Sequence, residues 1–154
     1  MRSLWKLGLA LLCATSLLAA DADSKAALKD TAQKLITESR TTREMAMQIA
    51  EQLRKSADTG AVRDQIATLE QHAASIRQLI ADLEAKGTDL TAKQRQQLET
   101  ARKVAEILNV FIENKKQMLA SVTSPRDRDQ VRYQAIGVAQ RAEMIEKTIS
   151  KLGL

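Results

Sequence analysis

Aromatic residues, cysteine, proline and histidine are scarce in this 154-residue chain, which has one each of tryptophan, tyrosine, phenylalanine, cysteine, proline and histidine. One histidine and one cysteine do not supply the four ligands of a structural zinc site. The Glu-x-x-His pairs of di-metal helical bundles are also missing from the sequence, and no nucleophile stands in a recognisable arrangement with a base. We therefore predict a protein that is not an enzyme and that binds no metal or cofactor.

The first 22 residues have the pattern of a secretory signal peptide. A short basic head at residues 1–6 precedes an apolar core at residues 7–20, and Ala20-Asp21-Ala22 forms an Ala-x-Ala cleavage signature. The apolar core is shorter than the roughly 20 residues that a membrane-spanning helix needs. We predict that residues 1–22 are removed on export, with the periplasm as the expected location and secretion as the alternative.

The only cysteine, Cys13, lies inside this predicted signal peptide, so the mature chain uses no disulfide although it enters an oxidising compartment. Two bulky leucines precede Cys13, whereas lipoprotein processing takes a small residue there, so we do not expect lipidation. Removal of Arg2, Lys6 and Asp21 lowers the net charge of +5 by one. This mild positive charge is compatible with an anionic envelope surface as a partner but does not require one.

Four apolar seams run through the remaining residues, each with the alternating four- and three-residue spacing of a coiled coil. The seams are Leu28, Ala32, Leu35, Ser39, Thr42, Ala46, Ile49 and Leu53; Val62, Ile66, Leu69, Ala73, Ile76, Ile80 and Leu83; Leu98, Ala101, Ala105, Leu108, Ile112, Lys115, Leu119 and Val122; and Val131, Ala135, Val138, Ala142, Ile145, Ile149 and Leu152. The apolar residues that widen the stripe beside the seams are Ile36, Val104, Ile107, Phe111 and Ile136. The pattern predicts an all-α fold, an antiparallel up-down-up-down four-helix bundle.

Polar and glycine-containing segments divide the seams into four predicted helices. The helices are expected at residues 24–57, 60–86, 91–122 and 125–152, within one bundle domain at residues 23–154. Asp58-Thr59-Gly60 interrupts the register between the first two seams, and Gly87 is expected to end the second helix in the left-handed conformation. Ser124-Pro125-Arg126-Asp127 supplies a serine cap, a proline at the first helical position and an acid at the third.

Leu90-Thr91-Ala92-Lys93-Gln94 has the composition of a capping box, in which Thr91 and Gln94 bond to each other's backbone while Leu90 packs outside. The same five residues are similar to the Leu-Thr-x-x-Gln motif of the Spy/CpxP family. The resemblance implies a small, all-helical periplasmic stress protein, and some members of that family hold unfolded clients on a basic concave surface. This chain has no second copy of the motif, which the family usually carries.

Basic residues gather, in the predicted topology, where the first and third helices end and the second and fourth begin. This basic pole consists of Arg54, Lys55, Arg63, Lys115, Lys116, Arg126, Arg128 and Arg132. The carboxylates counted at the same end are Asp58, Asp64, Glu113, Asp127 and Asp129. The pole is either a solvated end laced with salt bridges or a docking surface for an anionic partner. Nucleic acid is not an expected partner, since the chain lacks an aromatic platform and is predicted to be exported.

The middle of the first seam is weakly filled, because Ser39, Thr42 and Ala46 replace large apolar residues. Small residues there either allow close helix approach or leave a cavity for a ligand. Lys115 is expected to extend outward from the third seam, with a buried polar contact as the rarer interpretation. His72 is expected to be partly packed at the solvent edge.

These observations favour an exported helical bundle that acts through protein–protein contacts, as an envelope adaptor, a secretion accessory or a stress-related holdase. Its partner would be another protein or an unfolded client docking at the basic pole. The alternative is a small-molecule or lipid carrier that uses the weakly filled centre at Ser39, Thr42 and Ala46. The seams also permit a homodimer, because helical hairpins of this length can pair between chains.

Overall fold

The computed structural model of the protein describes the backbone of residues 4–55 and 60–154, and the side chains of residues 23–55, 60 and 62–154. These residues form four α-helices and no strand, which are α1 (Leu4–Lys55), α2 (Gly60–Lys86), α3 (Ala92–Ala120) and α4 (Pro125–Ser150). The prediction of an all-helical chain with four packed helices is confirmed. The side chains of the predicted signal peptide, and residues 58 and 59 of the predicted turn, lie outside the described residues.

A single apolar core lies between the four helices. Every predicted seam position is buried except Val122, which is half-buried. A repeat of 3.5 residues therefore kept each stripe facing the other helices along its whole length. Among the residues expected to widen the stripe, Val104 is buried, but Ile107 is 47% exposed, so its assignment to the core was wrong.

Each helix packs against two neighbours, because α1 contacts α2 and α4, and α3 also contacts α2 and α4. Two polar contacts link α1 to α2. Lys86 Nζ donates to Thr31 Oγ1 at 3.2 Å, and His72 Nδ1 lies 2.6 Å from Glu38 Oε1. None of the described helices is both long and apolar enough to cross a membrane.

Reciprocal caps begin α3 and α4, as the sequence predicts. Gln94 N–H donates to Thr91 Oγ1 at 3.3 Å, and Thr91 N–H donates to Gln94 Oε1 at 2.9 Å. Asp127 N–H donates to Ser124 Oγ at 3.2 Å, and Ser124 N–H donates to Asp127 Oδ2 at 2.9 Å. Both capping boxes satisfy backbone donors that a helix start leaves without intrahelical partners.

Gly87 follows α2 but does not adopt the predicted left-handed conformation. Among the described residues only Gly153 has a positive φ, of 65°. The N–H of Gly87 instead donates to the carbonyl oxygen of Leu83 at 2.9 Å, which continues the helical bonding pattern. A Cβ at Gly87 would lie 2.7 Å from the Leu83 carbonyl oxygen and would overlap the Leu90 side chain. The glycine is therefore needed for the close approach of Leu90, which is buried.

Candidate functional site

The two α1 cations of the basic pole, Arg54 and Lys55, share one acidic partner on the same helix. Glu51 accepts from Arg54 Nη2 at 2.7 Å and from Lys55 Nζ at 3.0 Å. Hydrogen bonds from Arg54 and then Lys55 lower the pKa of the Glu51 carboxyl to about 2. One carboxylate thus offsets part of the charge of two cations that the sequence assigned to docking.

Two further cations of the pole also have acidic partners. Lys116 Nζ lies 3.0 Å from Glu70 Oε1 of α2, and the hydrogen bond to that carboxylate raises the pKa of Lys116. Arg132 Nη1 lies 3.2 Å from Asp129 Oδ1. Glu51 and Glu70 were not among the carboxylates counted at this end from the sequence. The positive excess of the pole is therefore smaller than the sequence suggested.

Arg63 and Arg126 are the pole cations that stay exposed without an ion pair to any described residue. Arg128 is half-buried, and its Nε is buried without a hydrogen-bond partner. Because an unpaired guanidinium keeps all its donors available, Arg63 and Arg126 are the residues best placed to bind an external carboxylate or phosphate.

Lys115 does not belong to this exposed surface. Its side chain is fully buried, so the expectation that it extends outward was wrong. Ile112 and Leu119, one helical turn away on either side, are buried as well. Lys115 Nζ has no hydrogen-bond partner in the described part of the chain, and burial lowers the pKa of Lys115 to about 7. The heptad position of Lys115 predicts that it faces the core, and it does. The usual tendency of a lysine side chain to extend into solvent predicted the wrong position.

The weakly filled centre of α1 is completely enclosed. Ser39, Thr42 and Ala46 are each 0% exposed. Thr42 Oγ1 donates to the carbonyl oxygen of Glu38 at 2.8 Å, whereas Ser39 Oγ has no hydrogen-bond partner among the described residues. Small side chains at full burial are typical of close helix approach, and the unpaired Ser39 hydroxyl is the remaining polar feature there.

A shallow cleft, which was not foreseen from the sequence, lies between α1, the segment that joins α2 to α3, and the last residues of the chain. Its volume is about 280 Å³. The lining residues are Ser24, Lys25, Leu28, Lys86, Gly87, Asp89, Leu90, Gln94, Gly153 and Leu154. Gln94 Nε2 donates to the Leu152 carbonyl oxygen at 2.7 Å, which ties the end of the chain to the segment between α2 and α3. Three separate segments of the chain form this cleft, so no local sequence motif predicts it.

His72 and Glu38 form a half-buried pair between α1 and α2, with 23% of each side chain exposed. The expected position of His72 at the solvent edge agrees with this exposure. No group of three or more histidine, cysteine, aspartate or glutamate side chains is arranged to hold a metal ion in the described residues. The pair therefore serves as a polar link between the two helices.

Exposed apolar side chains concentrate on α3 and α4. Ile107 and Val110 of α3 are 47% and 56% exposed, and Tyr133 and Met144 of α4 are 63% and 50% exposed. The inward-facing seams give no sign of this exposed face. The same three- and four-residue spacing, applied to outward positions, would have found it.

The chain matches no protein-family model, no curated protein and no solved structure.

Proposed function

We propose that this protein is an exported, non-enzymatic helical bundle that acts through contacts with other proteins, as an envelope adaptor, a secretion accessory or a stress-related holdase. The observation that carries the proposal is the exposure of Arg63 and Arg126 without ion pairs at one end of a packed all-helical scaffold. The signal-like pattern of residues 1–22 supports export to the periplasm, or secretion. An unfolded client or another protein with exposed carboxylates would complement the two guanidinium groups.

The proposed topology is an antiparallel up-down-up-down bundle. Two contacts between α1 and α2 support it, since Thr31 meets Lys86 while Glu38 meets His72. As the residue number rises along α1, the number of the residue that it contacts on α2 falls. This is the order expected of two antiparallel helices. In this topology the ends of α1 and α3 and the starts of α2 and α4 share the basic pole.

The proposed docking surface consists of the exposed and half-buried members of the basic pole, with Lys115 left out because it is buried. These residues are Arg54, Lys55, Arg63, Lys116, Arg126, Arg128 and Arg132. Residues paired within the molecule give up an ion pair when a partner binds, so Arg63 and Arg126 should contribute most. An anionic envelope surface is the other partner that this charge would suit.

The experiment compares Arg63→Glu/Arg126→Glu with Lys29→Glu/Arg77→Glu, a control that makes the same charge change at exposed cations outside the pole. In-cell cross-linking measures partner capture, and thermal unfolding measures stability. We expect the pole variant to lose most of its captured partner while the control keeps it, with little change in melting temperature for either. Equal capture by both variants would remove the pole from the mechanism. Absence of any captured protein with the unaltered chain would contradict the proposed function itself.

The second candidate is a small-molecule or lipid carrier, and the unpaired Ser39 hydroxyl at the bundle centre is the observation that favours it. Native mass spectrometry of protein from its own compartment would then show an added mass that disappears on denaturation. Ala46→Leu should abolish that added mass by filling the site. A clean polypeptide mass, together with destabilisation by Ala46→Leu, would contradict the carrier, because it would identify the small residues as packing contacts.

A further inference from the structure

A short sequence pattern occurs twice on α2. Residues 63–70 read Arg-Asp-Gln-Ile-Ala-Thr-Leu-Glu, and residues 77–84 read Arg-Gln-Leu-Ile-Ala-Asp-Leu-Glu. Both copies share Arg-x-x-Ile-Ala-x-Leu-Glu, and the second begins 14 residues after the first. Because 14 residues are two heptads, both copies present the same side of α2, about 21 Å apart along the helix.

Each copy of the pattern lines a cleft between α2 and α3, and we call these the first and the second cleft. Their volumes are about 250 and 190 Å³. In each cleft, α2 supplies the arginine, isoleucine, alanine and glutamate of the pattern. The residues from α3 are Lys116, Leu119 and Ala120 in the first cleft, and Arg102, Ala105 and Glu106 in the second. In both copies the isoleucine is buried and the alanine is exposed, so the small alanine leaves the cleft open.

The first cleft contains an arginine whose hydrogen-bond donors are available. Lys116 Nζ lies 3.0 Å from Glu70 Oε1, so the lysine and the acid of the lining are paired with each other. Arg63 is exposed and has no ion pair to any described residue. Asp64 and Glu113 are exposed acids nearby in the sequence, but they do not line the cleft. An external carboxylate can therefore accept two parallel hydrogen bonds from the Arg63 guanidinium without breaking an ion pair.

The second cleft has as many carboxylates as cations. Arg102 Nη1 lies 2.9 Å from Glu106 Oε1, and Arg102 Nε lies 3.9 Å from Glu84 Oε1. With Arg77, the lining holds two arginines and two glutamates. The second cleft therefore serves as a comparison site within the same protein, because it has the same α2 pattern but no excess of positive charge.

We propose that the first cleft binds a segment of a partner protein that presents one bulky apolar side chain, such as leucine, close to an aspartate or glutamate. The apolar side chain would lie on Ile66 and Leu119, between Ala67 and Ala120, and the carboxylate would accept from Arg63. This inference rests on the proposed function, since it names the chemistry that the basic pole recognises in its partner.

The size of the first cleft favours a single side chain as its occupant. Pockets for small molecules usually measure roughly 300–1,000 Å³, and this cleft is smaller. A bilayer surface would contact the exposed Arg63 and Lys116, but it is too flat to reach the buried Ile66 and Leu119. One side chain of a protein segment can do both.

The spacing of the two recognised groups follows from the geometry of α2. Arg63 precedes Ile66 by three residues and Ala67 by four, which places their Cβ atoms about 5–6 Å from that of Arg63. In an extended segment, residues i and i+2 project to the same side, about 7 Å apart. A leucine and a glutamate separated by one residue therefore reach the cleft and the guanidinium together.

The binding experiment titrates the isotope-labelled full chain with three peptides whose ends are blocked, and it follows the protein by NMR. The first peptide contains Leu-Ser-Glu between glycines, the second contains Leu-Ser-Gln and the third contains Ala-Ser-Glu. We expect saturable binding of the first peptide. The other two should bind about tenfold more weakly or worse, because each lacks one of the recognised groups.

Equal binding of the three peptides would overturn the proposal, and so would the absence of binding. Vesicles of phosphatidylglycerol and phosphatidylcholine are the fourth probe. Binding of the vesicles in preference to the first peptide would overturn the proposal in favour of a lipid surface. Dimerisation of the chain through this cleft would overturn it in favour of a second copy.

Substitutions at equivalent positions of the two copies locate the site. Ala67→Leu fills the first cleft and Ala81→Leu fills the second, both at exposed alanines of α2. Ala67→Leu should weaken binding of the first peptide by about tenfold or more, whereas Ala81→Leu should leave the affinity nearly unaltered. Arg63→Gln and Arg77→Gln test the guanidinium in the same way. Thermal unfolding checks that all four variants fold, and equal effects within either matched pair would overturn the first cleft as the site.

In-cell capture separates this inference from the proposed function on which it rests. Capture that is lost with Arg63→Glu/Arg126→Glu but survives Ala67→Leu would reject the cleft and leave the proposed function standing. Loss of capture with Ala67→Leu but not with Ala81→Leu would support both.

Discussion

Lys115 is the charged side chain that the described core encloses completely. Its ammonium group has no hydrogen-bond partner among the described residues, and burial lowers the pKa of Lys115 to about 7 from 10.5. Desolvation is the cause, since a low-dielectric interior disfavours the charged form. The folded protein therefore binds a proton at Lys115 less readily than the unfolded chain does, which makes stability depend on pH.

Lys115→Met should stabilise the protein by a few kcal/mol at neutral pH, because each unit of pKa shift corresponds to about 1.4 kcal/mol. The unfolded chain holds the extra proton between about pH 7 and 10.5, so the stability of the unaltered protein should rise with pH over that window. Below that window Lys115 is charged in both the folded and the unfolded state. The difference in the free energy of unfolding between Lys115→Met and the unaltered protein is then at its largest. Urea denaturation across the window measures the difference.

Lys116→Met is the matched control, since Lys116 is the next residue and its side chain is 60% exposed. It should not remove the rise in stability with pH. If Lys115→Met leaves the pH dependence unaltered, or destabilises the protein at neutral pH, the burial described for the ammonium group is incorrect.

Gly137 is the second residue with a measurable consequence. Gly137→Ala should destabilise the protein by about 1–3 kcal/mol, because the new methyl group must displace the Phe111 ring from α4. Helix propensity alone predicts the opposite sign, since alanine is favoured over glycine inside a helix by up to about 1 kcal/mol. Chemical denaturation decides between the two signs, and Phe111→Leu in the same chain should recover part of the loss. A more stable Gly137→Ala protein would show that the ring does not lie against α4.

At the scale of the helices, the capping boxes were predictable because a cap is a local arrangement of a few consecutive residues. Thr91 with Gln94 and Ser124 with Asp127 therefore appear where the sequence placed them. The conformation of Gly87 was not predictable in the same way. It depends on the packing of Leu90 against the end of α2, which is a tertiary contact.

Ser124→Ala should lower stability by about 1 kcal/mol, since it removes the acceptor of the Asp127 N–H. Hydrogen bonds from Ser124 and Thr123 lower the pKa of Asp127 from 3.8, so the stabilisation by this carboxylate is fully present above that pH and is lost as the pH falls below it. Urea midpoints near neutral pH measure the effect. Ser150→Ala is the control, because Ser150 is an exposed residue at the end of α4 and its loss should change stability by less than about 0.5 kcal/mol. Equal effects of the two substitutions would contradict the role of the cap.

At the scale of the whole molecule, the proposed export predicts the residue at which the mature chain begins. Protein isolated from its own compartment should begin at Asp23, because the signature places small residues before the cleaved bond. Ala22→Arg should block processing and leave the longer chain, whereas Ala26→Arg lies beyond the signature and should not. Intact-mass measurement distinguishes the two products. A mature chain that keeps residues 1–22 would contradict the proposed signal peptide.

The inward pattern of the molecule was readable from the sequence, whereas its outward chemistry was not. A heptad seam states which side of a helix is buried, and it placed Lys115 correctly even though its expected exposure was wrong. It does not state which acids of neighbouring helices approach a given cation. The contact between Lys116 and Glu70 therefore needed the structure, and so did the placement of Phe111 against Gly137.

The packing of α1 against α4 joins the first and last helices of the described chain. Synthesis proceeds from the amino terminus, so α1 emerges long before the helix that covers part of its apolar stripe. Closing that contact requires almost the full chain length, which is the kind of pairing that slows folding. A nascent chain that still lacks α4 cannot complete the core, so part of the apolar stripe of α1 stays uncovered until the last helix has been made.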